Sequence, residues 1–340
     1  MVEAVRRFLY RQSMDTQVVN AGSTAPGALT AKPAGNNPGE TGGEAALELT
    51  LGQQADMPAL IRPDSRLVIT AGLGMGGRLR LALTDLADTW RLRRLVATLA
   101  FLDIRLRYRG SLLGPFWLTL STGLMVGALG FVYSHLFHTH LHTYLPFLSL
   151  SLVLWNFINA LVTDGCLTYT SNEAMIRAAR MPLSLHAARS VARNVLVLGH
   201  NILVIVVVFT IMNVWPGRVA LLMLPAFALW MIDGLAISIL LGGFCARFRD
   251  VPPIVASVMQ IAFFVSPIIW SPEILAHRGI GIVLLNWNPF YALLEIVRAP
   301  LLNQVPTLAT WGSALGYSAV LLLVTSVFFI RARSRISFWI

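Results

Sequence analysis

Residues 103–117, DIRLRYRGSLLGPFW, decide how this chain is read. They lead from an Arg-rich segment into a stretch, Gly110 to Thr163, that contains no Asp, Glu, Lys or Arg. A bilayer-crossing helix needs about 20 predominantly apolar residues, so the chain leaves water near Gly114 and Pro115. Upstream, Leu92, Leu95, Val96, Leu99, Leu102 and Leu106 recur at helical spacing while Arg91, Arg94, Thr98 and Arg105 fall on other faces. That pattern predicts an amphipathic interface helix over 84–110 lying in the membrane surface. Arg105, Arg107 and Arg109 then sit at headgroup level. Two roles are open to them: attraction to anionic lipid, or contact with a phosphate-bearing substrate.

The whole chain supports that reading. Its 340 residues are 56% apolar and 12% charged, with a mean hydropathy of +0.68, which is the composition of a polytopic membrane protein. The net charge of +10 comes from arginines set beside apolar spans rather than on a polar domain, so it points to membrane topology and not to nucleic acid. Cys166 and Cys245 are far apart in sequence and indicate neither a disulfide framework nor a thiolate metal site. No cleavable signal peptide is expected, because the charged segment Met1 to Arg11 runs into polar chain. Residues 12 to about 80 are rich in Gly, Ala, Pro, Thr and Asn, and 1–83 is expected to be a flexible cytoplasmic tail. Within it, Leu67 to Gly77 could form a strand and a Gly-rich turn, but its glycines are wrongly spaced for dinucleotide binding. A Walker phosphate loop is excluded: Lys32 is the only lysine in the chain and stands in AKPAGN.

Six apolar stretches follow in a membrane domain of 84–340, at about 113–136, 145–167, 193–214, 219–244, 252–271 and 311–331. Arg177, Arg180, Arg189 and Arg193 follow the second, Arg247 and Arg249 the fourth, and Arg331, Arg333 and Arg335 the sixth. Those sides are read as cytoplasmic, with both termini inside. Between the last two spans lies a segment, 273–300, whose apolar part is too short to cross and is broken by Asn286, Asn288 and Pro289. A re-entrant pair of short helices at an exit gate is the preferred reading, and a plain outer loop the alternative.

Candidate functional groups are few. Asp233 lies mid-span, where a carboxylate must face a cavity or meet a partner. Trp155, Phe157, Tyr169, Phe263, Phe264, Trp270, Trp287 and Tyr291 either line a channel with aromatic faces or belong to the interfacial aromatic belt. His135, His138, His140 and His142 match no structural zinc spacing, and no metal is expected. No nucleophile with a neighbouring base is visible, so catalysis by this chain is not expected.

The order DIRLRYRGSLLGPFW, NEAMIRAARMPLSLHAA (172–188), RFRDV (247–251), SPIIW (266–270), NPF (288–290) and Arg298 resembles the membrane subunits of ABC-2 type polysaccharide exporters, from about residue 90 onward. The resemblance implies an all-α fold with six transmembrane helices, an N-terminal interface helix and gate helices before the last span. It implies a homodimer in the cytoplasmic membrane working with two copies of a separate ATPase, which would bind the ATP and Mg; this chain itself needs no cofactor. Asn172, Glu173, Met175, Ile176, Arg180 and Pro182 fall on the family's ATPase-docking loop, and Pro182 is read as ending a short docking helix. Arg247, Arg249 and Asp250 mark a second cytoplasmic contact, or a compact turn held by Asp250 and a neighbouring Arg. Phe263, Phe264 and Trp270 match the span that leads into the gate. The implied cargo is a polyprenyl-diphosphate-linked polysaccharide, its diphosphate drawn to Arg105, Arg107 and Arg109. The alternative is a drug or small-lipid efflux permease of the same superfamily.

Overall fold

The computed structural model describes residues 74–110, 114, 116–179, 181–272, 285 and 287–340. Most of the expected tail, residues 67–73 of the Gly-rich patch, Pro115, Arg180, residues 273–284 and Asn286 lie outside them. Every regular element among the described residues is helical. In order they are α1 (Met75–Arg91), α2 (Arg93–Arg107), α3 (Phe116–Leu136), α4 (Leu141–Cys166), α5 (Glu173–Ala178), α6 (Leu183–Ile211), α7 (Met223–Arg247), α8 (Val251–Val265), α9 (Pro289–Leu301) and α10 (Leu308–Trp339). Short 3-10 turns, Thr170–Asn172 and Arg218–Leu222, precede α5 and α7.

Among the described residues five helices are long and apolar enough to cross a membrane: α3, α4, α6, α7 with its preceding turn, and α10. The stretch expected at 252–271 is different. Its helix, α8, has 15 residues and stops at Ser266. Helix starts also differ from the apolar runs. α6 begins at Leu183 rather than near 193, because hydropathy registers only the membrane-buried part of a 29-residue helix whose first turns carry Ser184, His186 and Arg189. Likewise Met75 to Leu83, expected in the tail, is helical, and the interface segment is two helices that break at Leu92.

α4 is the central strut. Of its apolar window 67% is buried, against 17% for peripheral α3. It packs against α3, α6, α7, α8 and α9. Small residues let two of these backbones approach: a methyl group built on Gly242 of α7 would stand 3.2 Å from the Gly165 carbonyl and 3.1 Å from Thr168 Cβ. Without a hydrophobic driving force between helices in lipid, such close backbone contact is a main source of cohesion.

At the end of the bundle that holds 167–182, hereafter the inner end, three distant pieces of chain meet. Asp85 of α1 accepts the backbone N–H groups of Leu183 at 3.2 Å and Ser184 at 2.9 Å, and pairs with Arg333 of α10 at 2.8 Å. Pro182 occupies the N-cap position of α6 and has no side-chain acceptor to offer, so a carboxylate from another helix satisfies the free donors. Pro182 therefore starts α6; the short helix before it ends at Ala178, and Ala179 is already extended. Tyr169, Ile239, Phe329 and Ile336 form the apolar cluster beneath this junction.

Candidate functional site

Four helices enclose a cavity of about 500 Å³. α3 contributes Leu118, Ser121, Thr122 and Met125; α4 contributes Asn156, Ala160 and Asp164; α6 contributes Asn194, Leu198 and Asn201; α8 contributes Phe263. The α3 and α6 residues repeat at three or four, so one stripe of each of those helices faces the space, whereas α4 lines it more broadly, with Trp155 and Phe157 beside Asn156. The wall is amide- and hydroxyl-rich without being charged, apart from Asp164 and Arg107 at the inner mouth. Asn194 donates to the Ala160 carbonyl at 3.4 Å, while Asn201 Oδ1, fully shielded, has no partner among the described residues. At the far end Trp155 closes the cavity, its ring 6.0 Å from Phe263 and 5.4 Å from Phe290 at the start of α9.

The mouth is an ion network. Arg189 Nε donates to Asp103 Oδ2 at 2.8 Å and its second nitrogen pairs with the other carboxylate oxygen, a bidentate fork. Its remaining nitrogen reaches Asn172 Oδ1 at 3.0 Å and the Met175 sulfur at 3.4 Å. Arg193 joins Asp164 at 2.9 Å to Asp103 at 3.6 Å. Both acids are thus taken by Arg189 and Arg193. Arg107 is left without a carboxylate among the described residues, an exposed guanidinium beside the cavity.

The family model for ABC-2 type transporter matches residues 94–302, more than half of the chain. The chain belongs to the ABC-2 type transporter family. Among curated relatives, this ABC-2 chain is 20% identical over 212 residues to the O-antigen export system permease protein RfbA of Myxococcus xanthus, covering 62% of this chain and 82% of that protein. Two proteins of that name from Klebsiella pneumoniae are each 22% identical, over 202 residues (59% of this chain, 77% of the relative) and 204 residues (60% and 78%).

Within this ABC-2 chain the structure separates the residues that sequence grouped together. Of the three arginines only Arg107 lines the cavity; Arg105 stacks over Phe101 at 6.0 Å, and Arg109 is exposed beyond the end of α2. Of the aromatics, Trp155, Phe157 and Phe263 line it. Phe264 is exposed and meets the Phe263 ring edge-on at 5.2 Å without lining the cavity, and Trp287 is 78% exposed. Trp270 turns back to donate to the Phe264 carbonyl at 3.3 Å. Tyr291 belongs to α9 and does not reach the cavity. Tyr169 is fully buried in the inner cluster, where burial and the nearby Asp85 push its phenol up while Arg333 acts the other way. It does not line this cavity, being packed in the cluster with Ala82 of α1 and Phe329 and Ile336 of α10.

The inner loop keeps Asn172, Glu173, Met175 and Ile176 together on α5 and the turn before it. Glu173 and Arg177 pair at 2.9 Å on the exposed face of α5, Arg177 bonds to the Ile340 carbonyl, and Ile176 packs on the inner cluster. Arg247, Arg249 and Asp250 are all exposed, and Arg247 lies 5.9 Å over the Phe248 ring. No ion pair joins Asp250 to an Arg among the described residues, so the compact-turn alternative lacks its stitch. Asp233 does not reach the cavity: Ser318 of α10 donates to it at 2.6 Å, a hydrogen bond between helices.

Sequence reasoning missed Asn156, Asn194 and Asn201. Their signal was present as spacing, since Asn156, Ala160 and Asp164 are four apart and Asn194 and Asn201 seven apart, both on single helix faces. It also gave Arg298 no role. Arg298 is 1% exposed, pairs with Glu295, donates to Ser151 Oγ at 2.9 Å and the Pro267 carbonyl at 2.7 Å, and lies 4.4 Å over the Phe147 ring. With Asn288 on Ser266 at 2.9 Å and Tyr144 on the Ile269 carbonyl, it fixes the SPIIW segment against α4 and α9.

Proposed function

We propose that this chain is the permease subunit of an exporter for polyprenyl-diphosphate-linked polysaccharide, driven by ATP hydrolysis on a separate subunit. The observation that carries the reading is the cavity itself. Asparagine amides, hydroxyls and the Trp155 and Phe263 rings suit the polar rims and apolar faces of sugars, and the uncommitted Arg107 at its mouth suits a diphosphate. The curated relatives named for O-antigen export agree with it. Arg105 and Arg109 contribute attraction to the headgroup layer instead of contact.

The topology we infer has six crossings and both described ends on the cytoplasmic side. Asp85 with Arg333, and Arg177 with the Ile340 carbonyl, support placing the first and last helices at the same end of the bundle. An even number of crossings is then required, and five long helices supply an odd number. α8 completes the set. Its 15 residues rise about 22 Å, and the bent segment 266–269 that follows, held by Tyr144 at the outer end, takes the chain across the remainder of a hydrocarbon core of roughly 30 Å. α9, capped by Asn288, then forms the outer gate with the segment before it. α5 with Asn172, Met175 and Ile176 is the docking element for the ATPase, and Arg247, Arg249 and Asp250 offer it a second exposed surface. Two copies of the chain face each other across the conduit.

In this mechanism ATP binding on the partner moves α5, Arg189 passes the displacement to Asp103 of α2, and the cavity mouth opens at Arg107. The test is reconstitution with the ATPase subunit. Lipid-linked glycan should accelerate hydrolysis and Arg107→Glu should abolish that acceleration without loss of assembly. Acceleration by small hydrophobic drugs, with no response to the glycan, would replace this reading with drug or small-lipid efflux.

A further inference from the structure

The three arginines that end α10 divide between two faces. Arg333 turns inward to Asp85 at 2.8 Å. Arg331 and Arg335, one helical turn apart, are exposed on another face and have no ion-pair or hydrogen-bond partner among the described residues. They stand at the polar end of a groove of about 530 Å³ between α7 and α10, whose walls include Phe244, Val327, Phe328 and Trp339. The Phe244 and Phe328 rings stack at 5.2 Å and form its floor. Apart from its two arginines the groove has no charged lining residue.

We propose that this groove binds one anionic glycerophospholipid, its phosphate on Arg331 and Arg335 and an acyl chain along the Phe244 and Phe328 rings. Charge complementarity selects the occupant. Two unpaired guanidinium groups over an apolar channel, at the level where a membrane helix leaves the bilayer, match an anionic headgroup above a hydrocarbon tail. A zwitterionic lipid would satisfy the channel but set its own cation against theirs. Such a lipid grips α10 from outside at the turn where Asp85 holds it from inside, and so steadies the junction of α1, α6 and α10. This rests on the chain's being embedded in a membrane and not on what it exports.

Trp339 in the groove wall provides the readout. The full chain would be placed in phosphatidylcholine nanodiscs containing brominated phosphatidylglycerol or, separately, brominated phosphatidylcholine. The Trp339 signal is the difference between wild type and Trp339→Phe. Two well-placed cations should give roughly a thirtyfold preference of this signal for quenching by the anionic lipid. Arg331→Gln with Arg335→Gln should remove the preference. Arg247→Gln, at a neighbouring helix end outside the groove, should keep it. Equal quenching by both lipids in wild type, or a preference that survives the double substitution, overturns the proposal. Quenching by neither lipid also overturns it, since a second copy or another protein would then cover the groove.

Discussion

Asp85 caps a helix to which it does not belong: its carboxylate accepts the backbone N–H of Ser184, 99 residues away, at 2.9 Å. The same group neutralises Arg333 near the far terminus. One side chain thus sets the start of α6, the position of α1 and the end of α10. Asp85→Ala removes a helix cap and leaves Arg333 unpaired, which should cost about 3 kcal/mol. Asp85→Asn keeps an acceptor for Ser184 and should cost less. Thermal unfolding of the two variants in detergent, followed by fluorescence, would order them. Equal stability to wild type would show the junction to be dispensable.

Arg189 ties the inner loop to α2, because its one guanidinium holds Asp103, Asn172 and Met175 together. Arg189→Gln should leave the chain inserted and assembled yet reduce coupled transport at least about tenfold. Asp103→Asn should do the same. The double variant should be scarcely worse than either single, a coupling of about 0.5–3 kcal/mol. Additive losses in vesicle transport would mean that the two residues act separately.

The outer end has its own lock. Arg298→Ala leaves Glu295 largely buried and without its partner, a loss of about 3–5 kcal/mol. Arg298→Lys should not rescue, since a single ammonium cannot serve Glu295, Ser151 and the Pro267 carbonyl at once. Replacing Glu295 and Arg298 together by Gln and Met should be milder than Arg298→Ala. Hydrogen exchange at 266–270 would report the release of the SPIIW segment; unchanged protection in Arg298→Ala would refute the lock.

How much of this could be read from sequence follows from the range of each interaction. The long spans were legible because a charge-free run of about 20 residues has few alternatives in water or lipid. Helix ends were not, since α6 and α10 run past their apolar stretches into polar turns held by partners elsewhere. The cap of Asp85 on Leu183 joins positions 98 apart, and Arg298 reaches Ser151 across 147. Asp85 and Arg333 also lie outside the part matched by the family, 94–302. Arg107 was legible as a candidate, but only the packing of α2 on α6 separates it from Arg105 and Arg109.

Asn201 offers the sharpest separation of folding from transport. Its shielded Oδ1 has no hydrogen bond among the described residues, and an unsatisfied buried polar atom costs about 1–3 kcal/mol. Leucine has the same branched skeleton, the adjoining cavity can take its extra volume, and it carries no such cost, so Asn201→Leu should raise the unfolding temperature. The same change adds an apolar patch to a cavity wall whose other amides, Asn156 and Asn194, remain. If that wall hydrates and passes sugar, export should fall in the variant that is more stable, while Asn201→Asp, which keeps a polar atom, should lose stability first. A stabilised Asn201→Leu protein that exports at the wild-type rate would place the cargo path elsewhere in the bundle.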